Sequence, residues 1–176
     1  DNLYINAGGS DPVDLSCITE VTGAMEIESS NAPSIDLSSV GSVGDDVQIH
    51  DNGELATIDL SALDTIDAYL QVEDNDDLYD LDLSGLTDIG SRLKVHANSD
   101  LTSIDFSSLI EVGDYILYTD NPVMEAISMP ALESVEGYFE VESNSGMETI
   151  EAPSLTEVGN TFKLNGMDVL HTVSLD

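Results

Sequence analysis

The chain is almost without positive charge: its 176 residues include 3 Lys and Arg against 36 Asp and Glu, a formal net charge of −33 at pH 7. A surface this negative repels nucleic acid and anionic membrane, so neither is expected as a partner. It suits a salt-rich or cation-rich medium, where counter-ions shorten the range of self-repulsion. Cys17 is the single cysteine, which excludes an intrachain disulfide and thiolate metal clusters. Tryptophan is absent and aromatic residues make up only 5% of the chain. No run approaches the ~18 apolar residues of a transmembrane helix, so no membrane insertion is expected. An Asn-x-Ser/Thr sequon is also missing, which argues against N-glycosylation.

What is present is a core and a repeat. Apolar residues make up 41% of the chain, with Leu, Ile and Val recurring along its whole length. A disordered acidic tail lacks such aliphatics, so a packed interior is expected, with the charge outside. Asn52, Asn75, Asn98, Asn121 and Asn144 follow one another at intervals of 23 residues, and Met167 takes the next place. Around them the apolar pattern returns as Ile58-Asp59-Leu60, Leu81-Asp82-Leu83 and Ile104-Asp105-Phe106, then Ile127-Ser128-Met129 and Ile150-Glu151-Ala152. Steps of two, as in Ile58/Leu60 and Leu70/Val72, are strand alternation, and a 3.6-residue helical period is absent. Each repeat therefore reads as one coil of short strands and corners, pairing in parallel with its neighbours ~4.8 Å away.

The expected fold is all-β: a right-handed parallel β-solenoid of about seven coils, each of 23 residues, in a single domain over residues 1–176. The recurring Asn is expected to point inward and to bond the backbone and the Asn above and below. Gly44, Gly90, Gly113 and Gly159 recur in register at a corner expected to need positive φ. Residues 1–24 are expected to form an N-terminal cap and the start of the first coil, which is one residue short between Ile27 and Ile35. The opening at Asp1 without Met, and an end inside the strand-like Val173-Ser174-Leu175-Asp176 without a polar cap, read as a fragment of a longer chain.

The segment Cys17-Ile18-Thr19-Glu20-Val21-Thr22-Gly23-Ala24-Met25-Glu26-Ile27, followed by Leu-x-x-Ile-Asp-Leu-Ser-x-Leu-x-x-Ile/Val-Gly units, resembles the receptor L-domain family. That family includes ligand-binding ectodomain modules of insulin and epidermal growth factor receptors, fungal cell-wall proteins and prokaryotic surface proteins. The resemblance spans nearly the whole chain. It implies a leucine-rich-repeat-like β-helix at the cell surface or outside the cell, and it carries over no catalytic residue. The receptors' cysteine framework and glycosylation signals are missing here, which points to a prokaryotic, halophilic or marine member.

No catalytic motif stands out, and an enzyme is not expected. The 36 carboxylates form no distinctive acid/base pair, and there is no Gly-x-Ser-x-Gly elbow or phosphate loop. His50, His96 and His171 have no local metal-ligand spacing such as His-Glu-x-x-His. Two outward columns remain as candidate sites. Asp36, Asp59, Asp82 and Asp105 stand in one column of like charges ~5 Å apart, a cost that salt or bound calcium would relieve. No other cofactor is implied, and general solubility in high salt is the competing explanation. The second column lies on another sheet, where Tyr69, Gln71, Arg92, Lys94, His96, Tyr115, Leu117 and Tyr138 gather. Every Lys and Arg of the chain falls on that sheet, and Tyr and Arg are the residue types favoured at recognition hot spots. The expectation is a non-enzymatic recognition or adhesion module that binds a protein or glycan through this face. A structural spacer or salt-adapted cell-envelope element, with calcium-dependent adhesion, is the alternative.

Overall fold

The computed structural model describes residues 1–175 and contains no helix among them. Parallel strands stack into a β-solenoid of about 7 turns at roughly 23 residues per coil. The longest sheet has eight strands, in chain order: Leu3–Ile5, Met25–Glu28, Val47–His50, Leu70–Glu73, Leu93–His96, Ile116–Thr119, Phe139–Glu142 and Phe162–Asn165. A second wall carries Val13–Asp14, Ser34–Asp36, Thr57–Asp59, Asp80–Asp82 and Ser103–Asp105, and a third carries two-residue strands from Ser42–Val43 to Glu157–Val158. In the long sheet, inward Leu, Val, Ile and Phe alternate with half-exposed polar residues, as the strand period of two requires.

The core is a set of aliphatic columns, one residue per coil. Ile35, Ile58 and Leu81 form one, and Val47, Leu70, Leu93, Ile116 and Phe139 another, all essentially inaccessible to solvent. Burying each such side chain contributes about 1.5–3 kcal/mol. Residues 1–24 make a coil of their own: Leu3–Ile5 pairs with Met25–Glu28, Val13–Asp14 pairs with Ser34–Asp36, and Val21 bridges Val43.

The recurring asparagines are inward and fully buried. Asn98 shows the pattern: its Nδ2 donates to the carbonyls of Val72 and His96 at 3.0 Å each and to Asn121 Oδ1 at 3.1 Å. Its backbone N–H also donates to Asn121 Oδ1, at 3.1 Å. The ladder runs from Asn52 to Asn144, and at the N-terminal end the Ser30 N–H caps Asn52 Oδ1.

The corner beside this ladder, not the glycine corner, is left-handed. Ser29, Asp51, Asp74, Ala97, Asp120, Ser143 and Gly166, each immediately before the ladder position, have φ between 49° and 68°. Gly44, Gly90, Gly113 and Gly159 do not have positive φ, contrary to the reading from sequence. Their column is tight: a Cβ on Gly44 would sit 2.6 Å from the Thr22 carbonyl oxygen of the preceding coil, and one on Gly90 or Gly159 closer still to its own neighbour.

One wall is interrupted. Ser103–Asp105 ends its five-stranded sheet, and Ala126–Ser128 begins a separate one with Thr149–Glu151 and Thr172–Ser174. The coil between carries Tyr118 and Phe106, two of the three largest fully buried side chains among the described residues. Phe106 stands in a column that is leucine in the preceding coils (Leu37, Leu60, Leu83), and Tyr118 follows Val72 and Val95. Both line the crevice at the break together with Ile104, Ile127 and Ser128.

Ala97 is the one left-handed corner with neither a glycine nor a short polar side chain. An L-residue in this region costs roughly 1–2 kcal/mol that glycine avoids. Ala97→Gly is therefore expected to raise the thermal unfolding midpoint, measured by circular dichroism. A lower midpoint would contradict the corner assignment.

Candidate functional site

The eight residues expected at a recognition face do come together on the eight-stranded sheet, all half-buried. Tyr69, Arg92, Tyr115 and Tyr138 each precede a strand in successive coils and so line up along the solenoid axis, in two contacting pairs. The Arg92 guanidinium carbon lies 3.8 Å from the Tyr69 ring centroid, a cation–π contact. Tyr115 and Tyr138 stack with centroids 4.4 Å apart and planes 9° from parallel. The coil spacing sets this geometry, because one planar side chain per coil fills the gap to the next.

The neighbouring column handles charge. Lys94 Nζ is 2.5 Å from Glu73 Oε2, Gln71 Nε2 donates to Glu73 Oε1 at 2.6 Å, and Arg92 Nη2 reaches Gln71 Oε1 at 3.5 Å. Partial burial pushes the Glu73 carboxyl up, but the hydrogen bond and charge of Lys94 outweigh it and hold it below its ordinary value. Lys163 pairs in the same way with Glu142 and, at 3.9 Å, with Glu140. Leu117 lies between Lys94 and Glu140 in register. His96 Nδ1 is buried without a hydrogen-bond partner, 3.6 Å from Asp120 Oδ2.

The aspartate column is also in place. Asp36, Asp59, Asp82 and Asp105 are paired in register and line two shallow open grooves of about 340 and 380 Å³. Each carboxylate is engaged within its own coil, where Oδ1 accepts the N–H of Ser38, Ser61, Ser84 or Ser107, two residues on, at 2.8–3.0 Å. This Asx turn shapes the corner. The column stops where the donor does: Pro130 and Pro153 occupy the equivalent positions and have no N–H, and Ser128 and Glu151 replace the aspartate. The end of the column at Asp105 thus follows turn chemistry.

Sequence reasoning missed two features of the long sheet. Tyr4 joins it because residues 1–24 form a coil, pairing in register with Glu26. Glu26, Glu28 and His50 are the only trio of metal-capable groups brought together among the described residues. The signal was the short first coil, whose spacing of 22 residues puts His50 opposite Glu28. No family model matches the chain, and no curated protein or solved structure is significantly similar to it.

Burial first, then the adjacent Tyr115, push the Tyr138 hydroxyl up from 10.0 to about 12. In that window the unfolded chain releases this proton while the folded chain keeps it, so stability falls as pH rises from 10.0 to about 12. Alkaline difference absorbance of wild type minus Tyr138→Phe is expected to show one late tyrosinate transition. A transition at the ordinary tyrosine value would refute the stacked, desolvated geometry.

Proposed function

We propose that the protein is a non-enzymatic recognition or adhesion module of the cell surface or extracellular space, binding a protein or glycan through its eight-stranded sheet. The observation that carries this reading is the Tyr69, Arg92, Tyr115, Tyr138 stack: in a chain of net charge −33, planar and cationic side chains concentrate on one regular sheet. Their ring edges and hydroxyls, with Leu117 alongside, form an amphipathic strip of the kind recognition surfaces use. The resemblance of the repeat units to the receptor L-domain family supports the same reading and its surface location.

A structural spacer is the second reading, and the ion pairs favour it. Lys94 and Lys163 are engaged by Glu73, Glu140 and Glu142, which is what charge relief alone requires. In that reading the acidity serves salt tolerance, with calcium held along the aspartate column as a variant. The two readings separate on the stack, which charge relief does not need.

Labelled protein should be applied to a glycan array and to immobilised envelope-protein extracts, as wild type and as Arg92→Glu with Tyr115→Ala. Recognition predicts saturable binding by the wild type that weakens at least tenfold in the variant, with the circular dichroism spectrum unchanged. Equal binding by both proteins removes this face as the contact surface, and no binding by either favours the spacer.

A further inference from the structure

The outward carboxylates of the long sheet are neutralised in two different ways. Glu73 has Lys94, and Glu140 and Glu142 share Lys163. Glu26 and Glu28, on Met25–Glu28, have no Lys or Arg; they face His50 on the adjacent strand. His50 Nε2 is 3.2 Å from Glu26 Oε1 and 3.9 Å from Glu28 Oε2, and the ligand-capable atoms of the three residues lie within 4.8 Å of one another.

The two separations from His50 Nε2 are close to those of a coordination sphere. Ligand bonds of about 2.0–2.2 Å place the corners of a zinc tetrahedron about 3.3–3.6 Å apart, which the observed separations bracket. The other ring nitrogen is held as metal-binding histidines are held: Nδ1 lies 2.9 Å from Asp51 Oδ2, which fixes Nε2 as the atom turned toward the glutamates. Asp51 takes that place because it occupies the left-handed corner after the strand. The Tyr4 hydroxyl donates to Glu28 Oε1, so the second glutamate is also held from outside the trio. Gln48, opposite Glu26, is turned away to Asp46 at 2.6 Å, and Glu73, opposite His50 on the next strand, is engaged by Lys94. Three carboxylates thus surround one imidazole with no permanent cation among them.

We infer that Glu26, Glu28 and His50 form a binding site for one borderline divalent transition metal, zinc being the natural probe, with a coordination position left open to solvent. One nitrogen and two carboxylates suit zinc and its neighbours, whereas calcium takes 6–8 oxygen ligands and magnesium keeps mostly water. The open position faces outward on the same sheet as the tyrosine stack, so a bound ion could accept a carboxylate or hydroxyl from outside. The site does not depend on the recognition reading, because its ligands lie in earlier coils than that stack.

Isothermal titration of the full chain with zinc chloride near neutral pH tests this, in enough sodium chloride to screen diffuse counter-ion binding. The expected result is one equivalent bound with micromolar or tighter affinity, at least tenfold weaker in His50→Ala and in Glu28→Gln, and unchanged in Asp82→Asn. Cobalt(II) in place of zinc should give visible bands of a four- or five-coordinate ion in the wild type and lose them in His50→Ala. Several weak equivalents unaffected by His50→Ala, or calcium competing equally with zinc, would overturn the assignment. Both ligand variants replace half-exposed side chains, and matching circular dichroism melts without metal establish that each is folded.

Discussion

A solenoid has to keep the chain in register coil after coil, and here a file of buried asparagines pins that register. Apolar columns alone tolerate slippage, since one aliphatic side chain packs on another with little directional preference. A carboxamide does not. In the middle of the file each Asn spans its neighbours: its Nδ2 reaches a carbonyl of the preceding coil and the Oδ1 of the Asn in the next, as Asn75 does with Ile49 and Asn98. Any shift would leave buried donors and acceptors unpaired, at about 1–3 kcal/mol each. The left-handed residue before each Asn follows from the same demand, because the chain must turn sharply to bring the carboxamide inward.

Once register is fixed, surface chemistry is organised in columns and not in local motifs. Residues 21 to 23 positions apart become neighbours: Lys94 and Glu73 or Gln71, His50 and Glu28, Tyr115 and Tyr138. Each sheet face handles its negative charge differently. The long sheet uses Lys94, Lys163 and His50 against glutamates, while the second wall engages Asp36, Asp59, Asp82 and Asp105 each with a backbone N–H. The two outer surfaces are therefore chemically distinct although one repeat builds both.

Much of this was legible in the sequence. The Asn period, the step-of-two apolar pairs and the outward Tyr, Arg and Lys positions set coil length, strand placement and membership of the long sheet's face, because a strict repeat turns position into geometry. Three things were not legible. The glycine corner looked like a positive-φ site, but close coil-to-coil approach gives the same residue preference, and sequence does not separate the two. The aspartate column looked like a pure electrostatic cost because its Asx turns depend on backbone N–H groups; the Ser-to-Pro change at Pro130 and Pro153 was the available clue. The Glu26, Glu28 and His50 trio was hidden by the short first coil and by the habit of seeking metal ligands a few residues apart.

The central claim is that the asparagine file acts as one connected unit. A double-mutant cycle on Asn98→Ala and Asn121→Ala, read by denaturant unfolding, tests it most directly. Adjacent members of one hydrogen-bonded file should each cost about 1–3 kcal/mol alone, with a pairwise coupling above about 0.5 kcal/mol. Small, strictly additive losses would mean that the aliphatic columns hold the register by themselves and that the asparagines only occupy a corner.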